Sequence, residues 1–526
     1  MTDQPHTRPP ADAQRKLQAG FDAFRAGDLP RAVAICKEML ATYPTMGRAH
    51  YLAALIALAS NDRASAQQAL ETTVRLNQGN AAAWTRLAEL YATGGALRRA
   101  EACLQNAAST QRGNAATLDH IGTVFRLVGN LKASLEWHRK ACDVNPDHTP
   151  FQLNLANAHL FLGDRDTARA ILEAAVEHDP TNAQAHWLLS RAGTATSVKH
   201  VDAMSDILNH ERAPQSVAYL QYAIGKELED LEEWQEAFAA WSAGAAARRE
   251  LVAYDEAAEV ELYETLENTF TKEWLDKQQS DCADAGPVFI VGEPRTGTTL
   301  LDRMLDAHPA VTSAGELRHF GIALRQVTGS DEPRQFSAEL MTQAAAADAT
   351  AVGEAYVDIT SGLRLDAAHI IDKLPSNYLY LPMILAALPN ARIIHMRRDP
   401  LDTCLAIFKQ LFADAYLYSY DLGELARHYR RYQQLMAVWR QRFGERYIEV
   451  DYEALVSEPE ETLRPVLQFI GLSWNDDCLT YFSRDTAVTT ASAYQVREAP
   501  HQRSVNHWKH FADELTPIRE LLGADA

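Results

Sequence analysis

Cysteine is scarce in this 526-residue chain. There are six (Cys36, Cys103, Cys142, Cys282, Cys404 and Cys478), and none has the spacing of a metal knuckle or a disulfide framework. Such a set reads as reduced thiols in a reducing compartment. No apolar run approaches the ~18 residues of a membrane-spanning helix, so none is expected. The opening stretch, MTDQPHTRPPADAQRK, has no apolar core. A secretory signal is therefore not expected, and a cytoplasmic location is. Basic charge is in deficit, with 50 Lys and Arg against 70 Asp and Glu and a formal net charge of -20. That argues against non-specific nucleic-acid binding and against attraction to anionic membranes, although a local basic cleft stays open. What is present is an ordinary soluble composition, 47% hydrophobic and 23% charged. The length implies two or three domains rather than one core.

The first half repeats itself. Gly27, Asn61, Gly95, Gly129 and Gly163 follow one another at 34-residue intervals. Small residues precede each of them (Gly20, Ala54, Ala88, Gly122, Ala156) and follow each of them (Ala32, Ala66, Ala100, Ser134, Ala168) at fixed offsets. That period belongs to helix–turn–helix units of the tetratricopeptide (TPR) type. The small slots let paired helices approach closely, and Gly or Asn permits the turn between them. A degenerate sixth unit carries Gly225, Glu232, Ala237 and Trp241, and the stretch DEAAEVELYETLENTFTKEWL would cap the array. Stacked repeats commonly bind peptides or partner proteins on a concave face; bracing the next domain, or forming a homodimer, is the other use.

Past residue 286 the pattern changes to strand-like runs, PVFIVG, HIIDKL, ARIIHMR and RYIEVDYE, separated by helical stretches. Strands alternating with helices imply a parallel sheet, whose ligands sit beyond the carboxyl ends of the strands. The expected architecture is an N-terminal all-α TPR solenoid followed by an α/β P-loop-like domain with a parallel sheet. Its divisions are a disordered tail over 1–12, repeats over 13–200, a degenerate unit with connecting helices over 201–280, and the α/β domain over 281–526. The runs end in Glu293 and Arg295, Asp372 and Lys373, Arg397 and Arg398, and Tyr452, so functional groups are expected on one sheet edge.

The stretch IVGEPRTGTTL (290–300) is a strand, a glycine-containing turn and a helix start, the setting in which backbone N–H groups cradle an anion. Gly292 and Gly297 keep the spacing of a nucleotide-triphosphate loop, but Thr298 stands where that loop needs Lys. That substitution argues against a kinase or P-loop hydrolase.

Extended to VGEPRTGTTLLDRMLDAHPAVTSAGEL, the segment resembles the phosphosulfate loop of sulfotransferases that use 3′-phosphoadenosine-5′-phosphosulfate (PAPS). It is most similar to that of the tyrosylprotein sulfotransferases and of bacterial TPR-linked sulfotransferases. The resemblance covers roughly residues 286–510 and implies the site residues. Arg295, Thr296, Gly297, Thr298 and Thr299 would wrap the 5′-phosphosulfate. Arg398, in ARIIHMRRDPLDTCLAIF, would meet the 3′-phosphate. Ala406 stands where the family usually has Ser, so one hydroxyl contact is missing. Tyr452, Ser492, Gln495, Val496 and Arg497 would complete the nucleotide pocket. Lys373, Arg295 and Ser492 would neutralise the bridging and sulfonate oxygens, and Glu316 would be the general base, with His319 and His308 as rivals. The implied reaction moves a sulfuryl group from PAPS to an acceptor hydroxyl, on protein tyrosine or another phenol or alcohol, releasing 3′,5′-adenosine bisphosphate (PAP). No metal is expected, and a protein or peptide acceptor held by the TPR groove is the expected partner. A TPR scaffold with a PAPS-binding but inactive domain is the alternative.

Overall fold

The structure is a computed structural model that describes residues 10–332, 334–364, 366–412, 414–484 and 497–523. The tail expected over 1–12 lies mostly outside them, and the first helix begins at Ala11. The chain divides into two compact units, Met1–Ala158 and His159–Ala526.

The first unit is built of helical hairpins: Ala11–Arg25 with Leu29–Thr42, Gly47–Ala59 with Arg63–Leu76, Ala81–Thr93 with Leu97–Thr110, and Ala115–Leu127 with Leu131–Val144. Their turns use the expected residues, since Gly27, Asn61, Gly95 and Gly129 all have left-handed backbone (φ 56 to 81°). The following Asp28, Asp62 and Asn130 then cap the second helix of a hairpin by accepting a first-turn N–H. The small slots are helix crossings. Ala54, Ala88, Ala32, Ala66 and Ala100 are fully buried. A Cβ on Gly20 would meet Leu52 at 2.8 Å, and one on Gly122 would meet the His138 ring at 2.9 Å. Phe151 is buried, while Trp84 and Tyr91 pack half-buried against the same core.

The second unit opens with the same chemistry and then changes it. Gly163 is again left-handed, as is Glu232 between helices Pro214–Asp230 and Trp234–Arg249. In that degenerate hairpin Gly225 lies against the Trp241 ring. Helices Glu256–Thr269 and Lys272–Asp276 follow, and then a five-stranded, wholly parallel sheet. Its strands are β1 (Pro287–Gly292), β2 (Val311–Ser313), β3 (His369–Asp372), β4 (Arg392–Arg397) and β5 (Tyr447–Asp451), in the order β2-β3-β1-β4-β5. The sequence runs anticipate four of these; β2 is three residues long, too short to stand out as an apolar run.

Along β1 alternate residues face opposite cores, Phe289 and Val291 into one and Val288 and Ile290 into the other. The first core also holds Tyr222, Phe238, Trp241, Tyr263 and Phe270. The helices preceding the sheet are therefore packed into its core. Among the described residues no helix is long and apolar enough to cross a membrane.

The Gly225 crossing gives a stability test. A Cβ there would lie 2.4 Å from Trp241 Cδ1 and 2.9 Å from the Ala237 carbonyl oxygen. Gly225→Ala gains about 1 kcal/mol in helix propensity, and overpacking costs about 1–3 kcal/mol. The expected result is a lower urea midpoint; a raised midpoint would show that the crossing has room to spare.

Candidate active site

The parallel sheet brings the carboxyl ends of β1, β3, β4 and β5 to one edge, and the residues after each end form the site. After β1 the chain must reverse into helix Thr298–Asp306 within five residues, and it does so with strained backbone: Gly292 at φ 150°, Arg295 at 70° and Gly297 at 93°. A Cβ at Gly292 would strike the Met396 carbonyl oxygen at 2.5 Å, and one at Gly297 the Tyr452 ring at 2.6 Å. Both positions therefore require glycine. Gly297 supplies no side-chain cap to the helix, so its first-turn N–H groups face the loop, and Thr298 and Thr299 lie buried in that turn. Such a helix start favours an anion. The Thr296 hydroxyl donates to the Glu293 carbonyl at 2.8 Å, so it braces the loop from within.

Arg398 follows β4 and clasps this loop. Its Nη1 donates to the Arg295 carbonyl at 2.9 Å, its Nη2 donates to the Ser504 carbonyl, and its guanidinium lies 4.9 Å from the Tyr452 ring centroid. Tyr452 is buried between Arg398 and Gly297 as the first residue of helix Tyr452–Ser457. Asp402, one turn beyond Arg398, accepts from the backbone N–H groups of Asn506 and Trp508 at 2.7 and 2.8 Å. It thereby pins the C-terminal segment beside the loop.

A lysine–glutamate ion pair forms beyond the ends of β2 and β3. Their parallel register sets Ser313 beside Ile371, and the Lys373 N–H donates to the Gly315 carbonyl at 2.9 Å. Gly315 turns with φ 71° and delivers Glu316 to Lys373, whose Nζ lies 2.7 Å from Glu316 Oε1. The Lys373 side chain is 1% exposed and that of Glu316 41%, so the carboxylate stands at the open end of the pair.

His319 is buried, which lowers its pKa to about 4 and keeps it neutral near pH 7. His308 uses both ring nitrogens on backbone, with Nδ1 accepting from Ala310 N–H and Nε2 facing the Ser473 carbonyl. That is a structural role.

Ser492, Gln495 and Val496 lie outside the described residues. Arg497 is described, and its Nη2 donates to the Phe161 carbonyl at 3.0 Å, an unanticipated contact beside the Gly163 turn. Several further residues were not anticipated. A cavity of about 310 Å³ is lined by Arg295, Ala406 and Ser504. The aromatic residues Trp187, Tyr222 and Trp241 also line it, together with Lys226, Lys409 and Arg503. Lys409, one helical turn past Ala406, pairs with Glu229, which also lies 2.7 Å from His507 Nε2. Burial pushes Glu229 up, but Lys409 and His507 outweigh it and hold the carboxyl at about 2. These residues come from helices far apart in sequence, so spacing could not have found them. Among the described residues no group of three or more His, Cys, Asp or Glu is placed to hold a metal ion.

Residues 287–476 match the sulfotransferase family, and residues 23–78 and 128–192 match a tetratricopeptide repeat family. Among curated proteins the chain is similar to an uncharacterized protein of Aquifex aeolicus (strain VF5), 27% identical over 401 residues, 73% of this chain and 51% of the relative. It is also similar to the protein-tyrosine sulfotransferase of Drosophila melanogaster, 27% identical over 260 residues, 45% of this chain and 51% of the relative. Protein-tyrosine sulfotransferase 2 of Gallus gallus is 26% identical over 201 residues, 36% of this chain and 53% of the relative. The chain spans about half the length of these relatives. Among solved structures, the sulfotransferase domain of the Synechococcus PCC 7002 olefin synthase aligns with a TM-score of 0.34 at 20% identity, covering 47% of this chain and 97% of that one. The TPR protein YrrB aligns with a TM-score of 0.28 at 16% identity, covering 39% of this chain and 96% of that one. One stretch of this chain therefore matches tetratricopeptide repeats and a later stretch matches the sulfotransferase family.

Asp372, next to Lys373, supplies a pH test. It is fully buried, and burial pushes its pKa up to about 8 against the hydrogen bonds from Tyr356 and Asn377. The folded state then holds a proton that the unfolded chain releases near pH 4. This contribution to stability is complete below about pH 4 and is lost as pH rises through about 8. Compared by urea unfolding at pH 5.5 and 8.5, Asp372→Asn should gain on the wild type at the higher pH. A difference independent of pH would show Asp372 to be ionised throughout.

Proposed function

We propose that the chain is a PAPS-dependent sulfotransferase that transfers a sulfuryl group to an acceptor hydroxyl. The observation that carries this reading is the clasp of Arg398 on the phosphate loop. A cationic fork and an aromatic ring converge on an anion loop that has no Lys, beside a cavity lined by rings and cations. That chemistry suits an adenosine bearing phosphates at both ends better than a nucleoside triphosphate, which needs the missing Lys and a metal.

In this reading the loop N–H groups, Thr298 and Thr299 hold the 5′-phosphosulfate, Arg398 and Tyr452 the 3′-phosphate side, and Arg295 the sulfonate. Ser492, Gln495 and Val496, together with Arg497, are assigned to the same proposed pocket. The acceptor oxygen attacks sulfur as the sulfur–oxygen bond to the phosphate breaks, and PAP leaves. Before reaction Glu316 and Lys373 neutralise each other. During transfer Glu316 takes the acceptor proton while Lys373 follows the charge building on the bridging oxygen. An enzyme of this kind needs no metal, because a sulfuryl group carries less charge than a terminal phosphoryl.

The acceptor is proposed as protein tyrosine or another phenol or alcohol, as the names of the relatives suggest, in the cytoplasm. The TPR array would hold the acceptor or a partner, or join two copies of the chain.

Calorimetric titration with PAP, using ATP and AMP as controls, tests the donor site. Selective PAP binding, weakened at least tenfold by Arg398→Ala, is expected, and a preference for ATP would overturn the assignment. PAP release from PAPS in the presence of phenolic acceptors tests the chemistry. Glu316→Gln should lower turnover by about 10²–10⁴-fold while PAP affinity is kept. PAP binding without any turnover in the wild type would favour the inactive scaffold, for which Ala406 is the supporting observation.

A further inference from the structure

The phosphate loop contains a carboxylate that an anion site should not tolerate. Glu293, between Gly292 and Pro294, is fully buried at the end of β1. Both its oxygens lie 3.3 Å from His428 Nε2, and Oε2 accepts from the Tyr418 hydroxyl at 3.1 Å. The His428 ring stacks on Tyr418 with centroids 3.4 Å apart. Its other nitrogen, Nδ1, lies 2.6 Å from Glu259 Oε1 on helix Glu256–Thr269. Glu259 in turn accepts from Arg431 and from the Tyr254 hydroxyl, at 2.6 Å for the latter, and Arg431 and Arg427 close the chain on Glu256. An imidazole bonded on both sides to carboxylates is held as a cation.

We infer that His428 is a positioning residue for the donor site: its charge cancels Glu293 inside the loop, and Glu259, on a helix outside the family-matched segment, keeps that charge in place. The inference rests on the proposed reading that the loop holds the donor's phosphosulfate. The groups facing His428 are Glu293 from the loop, Glu259 and Tyr263 from helix Glu256–Thr269, Tyr418, and Arg431 on its own helix. Burial alone would lower its pKa, but the two carboxylates raise it to about 9. In the folded protein the charge is therefore present at neutral pH and lost as pH rises through about 9; with the folded value above the unfolded one, its contribution to stability is complete below about pH 6.5. Helix Glu256–Thr269 would thus set the affinity of the loop through His428.

The experiment is PAP titration of the full chain in four forms: wild type, Glu293→Gln, His428→Gln and the double variant. His428→Gln leaves Glu293 uncompensated beside the ligand, and binding should weaken about tenfold or more, equivalent to about 1.4 kcal/mol. Glu293→Gln should bind as tightly as wild type or tighter, and the double variant should recover most of the loss. A merely structural role for His428 predicts the opposite, with the double variant no better than His428→Gln. Should His428→Gln not fold, Glu259→Gln reads the same device through the alkaline loss of PAP affinity, which should move from near pH 9 toward neutrality. Wild type that binds PAP, with unchanged affinity in His428→Gln or an unmoved alkaline limb in Glu259→Gln, overturns this inference alone. Wild type that binds no PAP overturns the donor reading and this inference with it.

Discussion

The site depends on one constraint, the placement of β1 between β3 and β4 in a parallel sheet. Being central, β1 is buried along its whole length, and the chain leaving it has strands on both sides. The Met396 carbonyl of β4 stands directly against Gly292, so the loop can only pass where there is no Cβ. Positive φ at Arg295 and Gly297 then aims a helix start back at the space the loop encloses. The same sheet order delivers the other components. β4, on one side, supplies Arg398, and β3, on the other, supplies Lys373 with Glu316 joined to it through β2. Moving one strand in that order would separate the Arg398 clasp from the Glu316–Lys373 pair.

Energetically the site is a set of charges removed from water, each held by a named partner. Lys373 is fully buried and relies on Glu316; Asp402 is buried and relies on two backbone N–H groups; Glu293 is buried and relies on His428 and Tyr418. Breaking one such pair leaves the survivor without compensation, which costs more than the pair itself is worth. The Glu316–Lys373 pair differs from the others in that its lysine is buried while its carboxylate keeps an exposed side.

Much of this was legible beforehand where the signal is local. The repeat period named the turn residues correctly down to Glu232, because a left-handed turn at a fixed interval leaves its mark on a single position. The loop was legible for the same reason, its two glycines and the absent Lys lying within a few residues. β2 escaped because three residues cannot show alternation. The cavity wall of Trp187, Tyr222 and Trp241 and the histidine beneath the loop escaped for a different reason. Each depends on helices brought together over long separations, and His428 in particular sits in an ordinary-looking helix, Leu422–Phe443. Arg398 was legible as a residue, but its hold on the Arg295 carbonyl was not.

The aromatic core shared by the sheet and the helices before it bears on how such a chain could have been assembled. Tyr222, Phe238, Trp241, Tyr263 and Phe270 lie in one cluster with Phe289, Phe408 and Phe511. A gene segment cut where the sulfotransferase match begins would lose Tyr222, Phe238, Trp241, Tyr263 and Phe270 from that cluster and leave the rings they cover facing water. Exchange of the catalytic region between lineages therefore favours breakpoints upstream, among repeats that contact mainly their neighbours. The number of repeats can drift while the last hairpin stays with the sheet it packs against.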